Sequence, residues 1–133
     1  MAEAFDINTI VLGYDGSAGS EKAANLALSL GRKYGATIVV CHAFGRTPVT
    51  LDSGEVKGML DPVVRHLQGA GVSAEISIPD ELPADGILRA AEERHADLIV
   101  VGSRGRGTFA DLLLGSTAER VIRFAKVPVV VAR

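Results

Sequence analysis

Near the carboxyl end, three glycines and two hydroxyl residues have the spacing of an anion site. Gly102, Gly105 and Gly115-Ser116 form the pattern G-x2-G-x9-G-S, with Thr117 next in line. Backbone without a side chain can turn tightly and come close to a ligand. N–H groups at the start of a helix point out of it, and the helix dipole favours negative charge there. Gly115, Ser116 and Thr117 would thus offer N–H and hydroxyl donors to a phosphate. Gly102 and Gly105 would bring the preceding loop up to it, and Arg104 and Arg106 could neutralise its charge. The same residues have a plainer reading, because Ser116-x-x-Glu119 is a capping box that would suit a helix binding nothing. No G-x-x-x-x-G-K-[ST] occurs, so the pattern is not a P-loop. Gly105-Arg106-Gly107-Thr108-Phe109-Ala110 satisfies G-x-G-x-x-A. It lacks the acidic residue about 20 positions on that a dinucleotide site needs, and counts as coincidence.

The other groups that could do chemistry are few. Asp15, in Asp15-Gly16-Ser17, suits a ribose hydroxyl and would repel phosphate; a turn residue before a helix is its simpler role. Cys41 lies in the apolar run Ile38-Val39-Val40-Cys41 and reads as a small buried hydrophobe. His42, His66 and His95 are scattered, and His42 reads as structural. Asp111 lies between the glycine clusters and reads as solvated. Metal-ligand spacing is missing, so a Mg²⁺ would arrive with a triphosphate rather than in a protein cage.

The elements that must position these groups alternate along the chain. Thr9-Ile10-Val11-Leu12-Gly13-Tyr14 and Thr37-Ile38-Val39-Val40-Cys41-His42-Ala43 are apolar runs without polar alternation, as in strands buried on both faces. Between them Ala23, Leu26, Ala27, Leu30 and Tyr34 share one helical face. Ser17 or Ser20 can cap that helix and Gly35 can end it. The stretch 44–54 reads as a loop. Met59, Leu60, Val63, Val64 and Leu67 form a second helical face with Pro62 inside it. Either Asp61 caps a short helix there, or a longer helix is kinked. Residues 72–78 alternate like a strand near a sheet edge, and Ile87, Leu88 and Ala91 mark a third helix. Ala96-Asp97-Leu98-Ile99-Val100-Val101 is a fourth strand. Ala118, Val121, Ile122 and Ala125 mark a helix from about 116 to 126, and Val127-Pro128-Val129-Val130-Val131 is a fifth strand. Unbroken alternation of this kind predicts an α/β fold, with right-handed crossovers and a parallel sheet covered on both faces. Ligands of such sheets sit outside the carboxyl ends of the strands, where strand order reverses.

With 133 residues the chain is expected to be one domain over 1–133. It is 47% hydrophobic and 23% charged, an ordinary globular balance. A net charge of −2 and the absence of tryptophan argue against nucleic acid as a partner. An acidic N-terminus without an apolar core gives no sign of a signal peptide, and the apolar runs are far too short for a membrane span. The expected location is cytoplasmic.

Three separated stretches together resemble the universal stress protein family. They are Ile10-Val11-Leu12-Gly13-Tyr14-Asp15-Gly16-Ser17, Ala96-Asp97-Leu98-Ile99-Val100-Val101-Gly102-Ser103-Arg104-Gly105, and Leu113-Leu114-Gly115-Ser116-Thr117-Ala118-Glu119-Arg120-Val121. The resemblance implies an open five-stranded parallel sheet in order 3-2-1-4-5, of the adenine nucleotide alpha hydrolase-like kind. It also implies ATP as ligand, held between the loops after strands one and four. By position, Asp15 would contact the adenosine and the backbone at Ala43 the adenine. Val101 and Gly102 would line the nucleoside, and Arg104, Gly105, Gly115, Ser116 and Thr117 would face ribose and phosphates. The resemblance further implies slow or no turnover, and a homodimer joined through the strand Val127 to Val131. Its departure from the family is a short segment over 44–60. A stress-response regulator that binds ATP is the expected function. A slow ATPase, and an interaction protein of the same fold that binds no nucleotide, are the alternatives.

Overall fold

Apolar runs that need cover on both faces form the middle layer of the molecule. The computed structural model describes residues 3–43, 53–104 and 114–133, with Ser53 through its backbone alone. The strands are β1 (Thr9–Gly13), β2 (Thr37–Cys41), β3 (Ala74–Ser77), β4 (Leu98–Gly102) and β5 (Val129–Ala132). They form one parallel sheet in the order β3-β2-β1-β4-β5. The helices are α1 (Ala18–Tyr34), α2 (Ser53–Gly69), α3 (Pro83–Glu93) and α4 (Ser116–Phe124). Both the strand order and the alternation are those expected.

Successive side chains of a strand point to opposite faces, and the two cores show it. Ile10, Leu12, Ile38, Val40, Leu98 and Val100 pack with α1 and α2 on one face. Val11, Val39, Ile99 and Val101 pack with α3 and α4 on the other. This explains the unbroken apolar runs: neither face of the central strands is left for a polar residue. Asp97 sets the register at the opposite end, where its Oδ2 accepts the N–H of Asn8 at 2.8 Å and of Thr9 at 3.1 Å.

Helix ends follow local chemistry. Ser17 caps α1, its side chain accepting the Ser20 N–H at 3.2 Å. Gly35 ends that helix in the left-handed region at φ 67, a conformation that costs glycine little. Two expectations are corrected. Residues 53 and 54 already belong to α2, which runs unbroken through Pro62, so Asp61 is no cap. Proline removes the bond to the carbonyl of Gly58 and crowds it, yet Val56, Leu60 and Leu67 on either side of Pro62 are all buried in the first core. The remainder of the expected loop, 44–52, lies outside the described residues. Tyr34 and Ile122, counted on the apolar faces of their helices, are 49% and 45% exposed. Tyr34 is the last residue of α1, and its ring lies 6.0 Å from the Lys33 ammonium. The short α4 lies over the β5 end of the sheet, where Ala118 and Val121 alone are fully covered. Among the described residues no helix is long and apolar enough to cross a membrane.

Candidate functional site

The strand order reverses between β1 and β4, whose neighbours lie on opposite sides. A cavity of about 280 Å³ opens over the carboxyl ends of these strands, at the small end of the range for small-molecule sites. Asp15, Ala43, Val101, Gly102, Arg104, Gly115, Ser116 and Thr117 all line it. Gly105, Arg106 and Asp111 lie outside the described residues.

The β1 side begins with a turn. Gly16 has φ 80, which glycine adopts without strain. Asp15 Oδ1 accepts the Ser17 N–H at 2.9 Å, so Asp15 shapes the turn as well as facing the cavity. His42 Nδ1 lies 2.8 Å from the Tyr14 carbonyl oxygen. A carbonyl only accepts, so Nδ1 carries the proton and ties the end of β2 to the end of β1. His42 thus has a structural contact, and it also borders the cavity.

The β4 side is closed by main-chain bonds. The Ser103 N–H donates to the Ala132 carbonyl at 2.8 Å, and the Ser103 carbonyl accepts the Gly115 N–H at 2.7 Å. The exit of β4 and the start of α4 are thus held side by side. Gly115 is the N-cap of α4 and makes no side-chain cap. The capping box does not form: Ser116 is the first helical residue, and Glu119 pairs with Arg123 at 3.3 Å. The Glu119 N–H makes the first bond of the helix, to the Gly115 carbonyl at 3.0 Å. Helix geometry leaves the N–H groups of Ser116, Thr117 and Ala118 without an intrahelical acceptor, and all three residues line the cavity.

Sequence reasoning missed the third wall. Pro83, the first residue of α3, and Ile87 one turn later both line the cavity. Their only sequence signal was the ordinary apolar face of a helix. Ser17, in the loop after β1, and Ser20, foreseen only as a cap, also line the cavity. Cys41 lies beneath them, 1% exposed. Burial pushes its thiol from 9.0 up to about 12, against a smaller opposing effect from a hydrogen bond with Ser77. It stays neutral and inert, as a small buried hydrophobe should. The walls differ in chemistry. Ala43, Pro83, Ile87 and Val101 make one part apolar, while Arg104 and the open turn of α4 make another part a place for negative charge. Such an arrangement can hold a ligand with a flat apolar portion and an anionic portion.

Comparisons with known proteins agree with this geometry. A universal stress protein of Thermus aquaticus is 34% identical over 134 residues, covering 94% of this chain and 98% of its own. A relative from Mycobacterium tuberculosis is 33% identical over 93% of this chain, which spans only 44% of that longer protein. The crystal structure of a universal stress protein in complex with cAMP superposes with a TM-score of 0.79 at 28% identity, covering 96% of this chain and 98% of that one. A universal stress protein from Archaeoglobus fulgidus in complex with dAMP gives 0.76 at 25% identity, covering 98% and 100%. The model of the universal stress protein family matches residues 6–133. On these grounds, with its motifs folded around one cavity, the chain belongs to the universal stress protein family.

Proposed function

We propose that the chain binds an adenine nucleotide, ATP in the first instance, in the cavity between the loops after β1 and β4. It would act as a nucleotide-dependent regulator in stress response rather than as an efficient catalyst. The observation that carries this reading is the convergence of an apolar wall, a carboxylate and a helix N-terminus capped by a bare glycine on one cavity. The adenine sits against Ala43, Val101 and Ile87. Asp15 faces the ribose, and the phosphates meet Arg104 and the Gly115–Thr117 turn. Gly105, outside the described residues, keeps the phosphate role that the family resemblance implies. A carboxylate beside phosphate would be repulsive, which fixes the direction in which the ligand lies. Mg²⁺ accompanies the triphosphate. The cAMP and dAMP complexes of related proteins support an adenylate as the ligand class. Two copies pair through the edge strand β5, and the protein works in the cytoplasm.

The test is direct. Purified protein is denatured and the supernatant assayed for adenine nucleotide, and the thermal midpoint is measured with and without ATP and Mg²⁺. Nucleotide in the supernatant, or a midpoint raised by several degrees at saturating ATP, is the expected result. Absence of both signals would refute the binding reading and favour an interaction protein of the same fold. Multi-turnover release of ADP would instead promote the slow ATPase.

A further inference from the structure

Gly19, in the first turn of α1, belongs to none of the motifs discussed above. A Cβ placed on Gly19 would lie 2.1 Å from the Arg104 carbonyl oxygen. A Cβ placed on Gly102 would lie 2.6 Å from the carbonyl carbon and oxygen of Gly19. These are backbone atoms, which cannot swing aside as a side-chain tip can. The first turn of α1 and the exit of β4 thus rest on each other through two bare glycines. Neither glycine has a positive φ, so the requirement is space rather than backbone conformation. This also changes the reason for Gly102: its missing side chain makes room for α1 before it makes room for a ligand.

The apolar part of the cavity is set by different contacts. A Cβ on Gly86 would lie 2.3 Å from the Ala43 Cβ, and one on Gly13 would lie 2.7 Å from the Ile87 Cδ1. A disturbance at Gly19 therefore bears on Arg104 and leaves the wall of Ala43 and Ile87 in place. We propose that Gly19 is a positioning residue for the anionic part of the ligand. It seats the Gly102–Arg104 backbone on α1 and so fixes where Arg104 stands relative to the Gly115–Thr117 turn. This inference rests on the adenine-nucleotide reading.

Gly19→Ala isolates the contact, because alanine is the better helix former and weakens α1 by no propensity effect. Binding of ATP and of adenosine is measured by calorimetry for wild type and variant. The expected result is a loss of about tenfold or more in ATP affinity, with adenosine changed by less than about twofold. An unchanged ATP affinity in the folded variant overturns the inference. So does an equal loss for both ligands, which would mean general damage. Wild-type protein that binds neither ligand refutes the underlying reading, and this inference falls with it. A second measurement needs no variant: in ¹⁵N-labelled wild type, the Gly19 and Ser20 amide resonances should shift with ATP and stay put with adenosine. If Gly19→Ala does not fold, that titration decides, and the absence of an ATP-specific shift overturns the inference.

Discussion

Cys41 shows how a residue can border a site and take no part in its chemistry. Its thiol is covered by Gly86 and the second core, with Sγ 3.8 Å from the Gly86 carbonyl oxygen. In the unfolded chain the thiol ionises near its ordinary value of 9.0, whereas in the folded chain it holds its proton to about 12. Between those values the folded state binds more protons than the unfolded state, so stability falls as pH rises. The contribution is complete below 9.0 and is lost progressively toward 12. Denaturant midpoints from pH 7 to 10.5 should decline more steeply for wild type than for Cys41→Ala. At pH 7 that variant should be about 1 kcal/mol less stable, the usual order for a small core truncation. Equal slopes would show that the thiol is not the group responsible. Asp15 is the other residue whose reading changes: turn former and cavity carboxylate were rival accounts, and its bond to the Ser17 N–H beside the cavity makes them one.

At the scale of elements, the informative one is α4. Its amphipathic spacing and the Gly-Ser start were plain in the sequence, but a capping box was equally consistent with them. The structure moves the cap back by one residue, to Gly115, which has no side chain to cap with. Gly115→Val puts a branched side chain at that turn without demanding a forbidden backbone, since φ is −76 and ψ is 161. On the adenine-nucleotide reading, ATP affinity should fall by about tenfold or more. The thermal midpoint should move by only a few degrees, the scale of about 1 kcal/mol lost at a helix cap. Unchanged affinity in calorimetry would remove α4 from the site. What the sequence could not disclose was contact between distant elements. Strand periodicity announces itself within a few residues, and so does a helix face. Nothing local announces that Gly19 meets Arg104, that Ser103 returns to bond Gly115, or that α3 lends Pro83 and Ile87 to the cavity. Pro62 was ambiguous for a related reason: whether a helix continues through an internal proline depends on its packing against distant elements, here the burial of Val56, Leu60 and Leu67.

For the whole molecule, the two edges of the sheet differ. On β3 Glu75 is exposed, and its carboxylate pairs with Arg94; charge of this kind discourages pairing with another sheet. On β5 the run Val129, Val130 and Val131 is half-buried and carries no charge before Ala132. An uncharged apolar edge is a template for another strand, and this is what supports the proposed homodimer. Val130→Lys should shift the protein from dimer to monomer in sedimentation at micromolar concentration. A monomeric wild type would refute the dimer, and a dimeric variant would place the contact elsewhere.

The Ser103–Gly115 bond has a consequence for how such a chain can change over time. Just past the end of β4, Ser103 is joined to Gly115, the cap of α4, by a main-chain bond of 2.7 Å. Closing a chain between two fixed points costs an entropy that grows only slowly with its length. The bond therefore lets β4 and α4 keep their places when the number of residues joining them in sequence changes, and the two walls of the cavity they carry are insulated from such changes.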